Sequence, residues 1–376
     1  MSLYVDLHIL HTVPPSNLNR DDTGNPKTAI YGGVRRARVS SQAWKKATRT
    51  EYAKHLDVSD LGVRTKRAVE QLCERMVELD PSVSIDTARS LAGQVFAALG
   101  IKLDAVKSKT AKKAAEAGEA VQDYETTQYL IFWSNRQLDR LARLALTGEK
   151  PTKKQAMEAA DAEHGIDVAL FGRMVADAAD INVDASVQVA HAISTHAVEI
   201  EQDYFTAVDD ENPEAETGAG MIGTIDFDSA TLYRYATINV DGLAENLAGD
   251  SEATVRAVEA FVRAFTTSMP TGKQNTFANR TVPDAVVVAL RVDQPVNLVG
   301  AFENAVEADA AHVRRSVDAF VTHYRDVTSF LGGPVAAYVA RSTGEAEAID
   351  GLGSTGSLAD VVERTTAGVR ERLAAS

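Results

Sequence analysis

The order of hydrophobic periodicities along the chain predicts an α+β fold: an RRM-like (ferredoxin-like) sheet carrying a large helical insertion and a long β-hairpin. Three observations lead there. Residues 3–10, LYVDLHIL, alternate apolar and polar side chains as a half-buried strand does. Apolar positions recur at helical spacing through most of residues 57–184. Set that block and an acidic hairpin at 197–230 aside, and the remainder reads strand (from Leu3), helix (Ser41), strands (Ser186, Thr231), helix (Ser251) and strand (Asp284), a β-α-β-β-α-β order. The domain boundaries follow. Residues 1–56, 185–196 and 231–340 form a discontinuous sheet domain, 57–184 the insertion, 197–230 the hairpin, and 341–376 a linker with a C-terminal helix.

Each element has its own signal. In the first strand Leu3, Val5, Leu7 and Ile9 share one face and Tyr4, Asp6 and His8 the other, so His8 reads as a surface or pairing residue; Pro14-Pro15 ends the strand. Residues 63–79, 84–99 and 121–146 have helical spacing, and the small, charged stretch 107–120 between them reads as an exposed helix or mobile connector. Pro151 opens a further helix, and Leu170, Phe171 and Met174 cluster after it, with core packing the default for all three. Residues 186–205 alternate as one long strand or two, and 222–228 return as the second arm of a hairpin with a mobile tip between Asp209 and Gly220. Residues 231–240 are a strand. Ser251 caps a helix whose Val255, Val258, Val262, Phe265 and Met269 form an inner stripe. A polar loop at 270–283 carries Lys273 and Arg280; then come a strand at 284–292, helices within 301–330, a Gly-, Ser- and acid-rich linker at 342–357, and a last helix at 358–373.

One segment stands out from an acidic chain. From Arg20 to Lys54 nine Lys or Arg face three acids, a surplus of six in a chain whose formal charge is −14. A single-sign field packed into a tenth of the sequence points to a polyanion. Gly32-Gly33 supplies a backbone able to take φ > 0. The extended run 34–39 puts Arg36 and Arg38 on the opposite pleat from Arg35. Ser40 and Ser41 read as N-cap residues, and on the helix they open, Gln42, Lys45 and Arg49 share a face while Ala43, Trp44 and Ala47 turn inward. A helix N-terminus with cations one turn on suits phosphate oxygens.

Composition bounds the rest. The 376 residues and 45% hydrophobic content support two or three packed units with sizeable cores. One cysteine, Cys73, sits in a helical pattern as a buried thiol, and excludes a disulfide framework or a cysteine zinc cluster. No signal peptide and no membrane-length apolar run are visible, which predicts a cytoplasmic protein with no membrane partner. His191 and His196 are five residues apart with no acid placed beside them as a metal motif needs, so neither a metal nor a cofactor is expected. RNP-type aromatic motifs are absent, so base stacking on the sheet is not indicated.

The segments LNRDD, IYGGVRRARVSSQAWKKATR, DVALFGRM, AHAISTH, YFTAVDD and TLYRYATINV, in this order from Leu3 to about Asp318, resemble the CasC backbone subunits of the type I-E CRISPR surveillance complex, Cascade. The resemblance implies a hand: an RRM-like palm, helical fingers and a hairpin thumb. It implies a non-catalytic RNA-binding protein of antiviral defence whose copies line up along a CRISPR RNA beside other Cascade subunits. The guide is thereby held for pairing with target DNA. The positions matching the family's guide-backbone contacts are Arg20, Lys27, Ser40, Gln42, Lys45 and Arg49, and Lys273 joins the same track. Met174, Tyr204 and Phe205, assisted by Val208, match the apolar groups that wedge between bases. A second reading is a metal-dependent ribonuclease using Asp21/Asp22 or Asp209/Asp210, since related backbone subunits cut RNA with an acidic residue. A third is a generic RRM-like RNA chaperone.

Overall fold

The computed structural model describes residues 2–105, 124–207, 221–307 and 311–375. Along the chain, β1 (Tyr4–Ser16), β2 (Thr28–Tyr31) and β3 (Val34–Val39) precede α1 (Ser41–Glu51). Next come β4 (Gly62–Thr65), α2 (Ala68–Leu79), α3 (Ile85–Leu99), β5 (Leu103–Asp104), β6 (Thr126–Thr127), β7 (Ile131–Ser134), α4 (Asn135–Leu146), α5 (Lys153–Ala160) and α6 (Ile166–Phe171). Then follow β8 (Val187–Val189), β9 (Ala192–Ser194), β10 (Glu201–Ala207), β11 (Met221–Asn239), α7 (Val240–Asn246), α8 (Ser251–Thr267) and α9 (Gln274–Phe277). The chain closes with β12 (Ala285–Arg291), α10 (His312–Leu331), β13 (Ala336–Arg341), β14 (Ser354–Thr355) and α11 (Leu358–Ala374). These elements gather into two compact units. One comprises Met1–Tyr52, Val187–Val240 and Val258–Ser376, the other Ala53–Ser186 and Asp241–Ala257.

The first unit is built on a sheet in the order β14-β13-β12-β1-β11-β9-β3-β2. Its middle four strands, β12-β1-β11-β9, are each antiparallel to their neighbours. β1 is therefore central, and it is buried on both faces rather than one: Asp6 is 0% and His8 4% exposed. His8 is thus not a surface residue. Its Nδ1 lies 2.9 Å from the Tyr233 hydroxyl, and its ring packs against Phe320 of α10. Burial and the field of Arg291 push its imidazole down to about 3. Asp6 accepts from the Tyr235 hydroxyl (3.0 Å) and the Val296 N–H (2.9 Å), yet burial outweighs these bonds and raises its carboxyl to about 6. Nor do Pro14 and Pro15 end the strand. β1 continues to Ser16 through an irregularity between Val13 and Ser16, beyond its last pairing with β12 at Leu10. A bulge is where a ladder tolerates residues with no N–H.

Other sequence expectations shift in the same unit. Residues 186–205 form three short strands, and the two arms 222–228 and 231–240 join in one 19-residue strand, β11. The stretch 342–357 is no linker: a 3₁₀ helix at Gly344–Leu352 buries Ala346 and Ile349 in the cluster under α10. Strand β13 was hidden because AAYVAR is only half-buried and has no sharp alternation. The inner stripe of α8 is buried as expected, from Val255 to Phe265.

The second unit is mostly helical around Leu72, Met76, Val95, Phe96, Trp133 and Leu141. Two stretches read as helix are strands. Residues 62–65 pair with 131–134, and the fully buried IFWS segment precedes a helix that starts only at Asn135. The stop was written in Ser134 and Gln137, which form a reciprocal capping box. Cys73 is buried, and burial raises its thiol to about 11. The expected connector at 107–120 and the hairpin tip at 209–220 lie outside the described residues.

Candidate nucleic-acid interface

In the first unit the basic segment folds into a loop and a helix head tied together by main-chain bonds. The Asn19 carboxamide oxygen accepts from the Ser40 N–H at 2.9 Å, and the Asn19 carbonyl accepts from the Lys27 N–H at 2.9 Å. Arg38 N–H in turn donates to the Lys27 carbonyl at 2.8 Å. Asn17 reaches the other way, donating from Nδ2 to the Gly24 carbonyl (3.0 Å) and to the Asp226 carbonyl (2.9 Å) of β11. Arg20, Lys27 and the start of α1, far apart in sequence, are thereby held as one surface. An open depression of about 550 Å³ lies over the loop, lined by residues 18–24 and Gly272. The loop at 270–283 is packed onto it, because a Cβ at Gly272 would run into the Asn17 and Leu18 carbonyls. Lys273 follows at φ 49°, in the left-handed region.

Helix α1 turns its solvent face slightly away from the expected Gln42, Lys45 and Arg49 set. Trp44 and Thr48 are buried, Gln42 and Lys46 are exposed, and Lys45 and Arg49 are half-buried. Lys46 belongs to the outward face and was passed over because it breaks the i, i+3, i+7 set. The Ser40 hydroxyl is committed to the cap, accepting from the Ala43 N–H at 3.3 Å, and the residue is 5% exposed. It positions the helix head rather than offering an oxygen to a ligand.

The arginines of β3 divide. Arg35 is exposed. Arg36 is 0% exposed and spends all five N–H groups on carbonyls: Tyr31 (3.2 Å), Ser194 (3.1 Å), Thr195 (2.7 Å), Phe302 (2.8 Å) and Glu303 (3.3 Å). It is a pin for the sheet edge, with no carboxylate in ion-pair contact among the described residues. A second buried guanidinium, Arg234, lies 3.7 Å from the Trp44 ring centre behind α1, and burial pushes it down to about 9. Arg38 donates to Thr28 and touches exposed His191 at 3.2 Å; burial and the charges of Arg38 and Lys27 hold that imidazole below its usual range. Arg38 thus extends the basic surface, with an imidazole kept in its uncharged form beside it. His191 and His196 do not converge on a site: His196 stacks on His312 with ring centres 4.3 Å apart.

Gly32 and Gly33 both take φ > 0, and at Gly32 a Cβ would collide with the Glu303 carbonyl. Asp21 has a local job. Its Oδ1 accepts from the Thr23 hydroxyl (2.7 Å), the Thr23 N–H (2.9 Å) and the Asn25 N–H (3.0 Å), and the Thr23 bond leads in holding its carboxyl below the usual range. Asp22 is exposed beside it. Asp209, Asp210 and Val208 lie outside the described residues, and among those described no group of three or more His, Cys, Asp or Glu is arranged to hold a metal.

The aromatic pair on β10 splits between the two faces of the hairpin. Tyr204 is 61% exposed, whereas Phe205 lies across Gly223 of β11, its cross-strand partner. In the second unit Met174 is not core filler. It is 79% exposed, fixed between buried Arg173 and buried Val175. Arg173 stacks on Trp133 with its Cζ 5.2 Å from the ring centre, and Val175 N–H donates to Asn182 at 2.6 Å. Its neighbours' anchoring holds the thioether in solvent.

The sheet unit thus carries a loop and a helix head of a kind suited to a polyanion. The family model described as CT1975-like protein matches residues 5–364, and the chain belongs to that family. Among solved structures it is similar to a chain of a "CRISPR RNA-guided surveillance complex, pre-nicking", at 32% identity and TM-score 0.83, over 97% of this chain and 100% of that one. A chain of a "CRISPR RNA-guided surveillance complex" matches at 28% identity and TM-score 0.75, over 97% and 99%. Among curated proteins, none matches. The resemblance to CRISPR backbone subunits read from the sequence stands on these matches. Among the described residues, no helix is long and apolar enough to cross a membrane.

Proposed function

We propose that this chain is a non-catalytic CRISPR RNA-binding backbone subunit of Cascade, lining the guide in successive copies beside other subunits and presenting it for pairing with target DNA. The observation that carries this is the loop 17–27 bonded to the capped head of α1, which brings Arg20 and Lys27 beside the helix that carries Gln42 and Lys45 in its first turns and Arg49 in its last. Phosphate contacts of this kind are blind to base sequence, as a subunit serving every guide must be, and sequence reading passes to Watson–Crick pairing. The antiparallel order β12-β1-β11-β9 supports an RRM-like palm. The Ala53–Ser186 block is the fingers and the β10–β11 hairpin the thumb. Exposed Met174 and Tyr204 are suited to wedge between bases, Phe205 buttresses the hairpin, and Lys273 extends the track from the packed loop. The hydrogen bonds of Asp21 support a loop-shaping role for that carboxylate rather than a nuclease.

The test is a double substitution, Lys45→Ala with Arg49→Ala. It weakens guide binding equally for all spacer sequences and reduces the slope of log affinity against log salt by about 1.4, at roughly 0.7 per phosphate contact on single strands. Weakening confined to some spacers refutes backbone recognition. Mg²⁺-dependent RNA cleavage that Asp22→Ala abolishes refutes the non-catalytic assignment.

A further inference from the structure

His191 has no role in the reading above, yet the fold sets it at the head of α1. β3 runs antiparallel to β9 with Arg38 opposite Ile193 and Val39 opposite Ala192, a register that carries His191 to the level of Ser40, the cap of the helix. Arg38 beside it is held by three bonds. Its N–H donates to the Lys27 carbonyl at 2.8 Å, its Nε donates to the Thr28 carbonyl at 3.1 Å, and its Nη1 reaches His191 Nδ1 at 3.2 Å. The corner before His191 is tied down as well, since the Ala190 N–H donates to the Tyr235 carbonyl at 3.0 Å. The imidazole itself is exposed, and among the described residues its Nε2 has no protein partner.

The contact with Arg38 fixes which nitrogen carries the proton. A guanidinium only donates, so Nδ1 accepts with its lone pair and the ring proton sits on Nε2. Partial burial and the charges of Arg38 and Lys27 hold the imidazole below its usual range, so it is uncharged at neutral pH. One neutral N–H donor is thereby exposed among cations. A nucleic-acid backbone offers it two kinds of oxygen. Phosphate oxygens gain most from a full charge or a helix N-terminus, which Lys27, Lys45 and the first turn of α1 supply. The ribose 2′-hydroxyl is uncharged, accepts from a neutral donor, and recurs at every nucleotide whatever its base. We infer that the Nε2–H of His191, oriented by Arg38, donates to a ribose 2′-hydroxyl, so that His191 is a residue by which this surface prefers RNA to DNA. The inference rests on the proposed guide binding and names the part of the nucleotide that the site selects.

The test compares the wild-type chain with His191→Ala and His191→Gln on one short single-stranded sequence, supplied as RNA and as DNA, with affinity read by fluorescence anisotropy. His191→Ala loses about fivefold in RNA affinity, the effect of one neutral hydrogen bond, and keeps its DNA affinity within about twofold. His191→Gln, whose carboxamide restores a neutral N–H, recovers RNA affinity to within about twofold of wild type. The slope of log affinity against log salt is the same for all three proteins, because no charge is removed. An equal loss on RNA and DNA places the imidazole on phosphate or base and overturns the inference. Unchanged RNA affinity in His191→Ala overturns it too, as does a selective loss that His191→Gln fails to restore. A wild-type chain that binds RNA and DNA equally well overturns it and leaves the guide reading standing. A wild-type chain that binds neither overturns both.

Discussion

Replacing Arg36 by Lys separates the cations that hold the fold from those that face a ligand. The guanidinium fills five carbonyl acceptors on three segments, at 2.7 to 3.3 Å. An ammonium has three donors, so at least two carbonyls lose their partner. At about 1–1.5 kcal/mol for each, the unit around β3 loses about 2–3 kcal/mol. Trp44 lies in this unit and Trp133 in the other, so a Trp133→Phe background makes Trp44 fluorescence the reporter. The urea midpoint should fall by about 1 M for an m-value of 2–3 kcal/mol/M. RNA affinity of the folded variant should stay within about twofold, with an unchanged salt slope. An unshifted midpoint together with a shallower salt slope would place Arg36 on the ligand surface and refute the reasoning.

Asp6, raised to about 6 from 3.8, prefers its protonated form when folded. Its contribution is therefore complete below about pH 4, declines as pH rises towards 6 and is gone above that, about 3 kcal/mol in all. Asp6→Asn should flatten the stability profile across that window, measured by urea unfolding at several pH values. Gly32→Ala, at φ 59° and against the Glu303 carbonyl, should lower the melting temperature well beyond Gly33→Ala, at φ 81° with nothing nearby. Equal shifts, read by calorimetry, would mean that only the backbone angle matters.

The sequence made legible those features that rest on local rules. The Ser40 cap of α1 follows from local sequence, as does the stripe of α8. Features set by remote partners were not legible. The double-sided burial of Asp6 and His8 depends on β12 and α10 arriving some three hundred residues later. The same is true of Arg36, whose acceptors at Ser194 and Phe302 turn an apparent member of the basic strip into a pin. The exposure of Met174 runs against its core-packing default, because periodicity cannot register that both neighbours are anchored. Asn19 carried no signal at all, since its bond to Ser40 spans 21 residues of loop and strand.

Arg36 is fastened to carbonyls, and Arg234 to a carbonyl, two aromatic rings and the His11 imidazole at 3.0 Å; among the described residues neither has a carboxylate to be neutralised. Burial and the Arg234 charge push the His11 imidazole down to about 3, so mild acid has no handle on these braces, and phosphodiesters keep their charge across the same range. On the proposed function, ionic strength, acting on the outward lysines and arginines, becomes the variable that loosens a bound strand while leaving the frame intact.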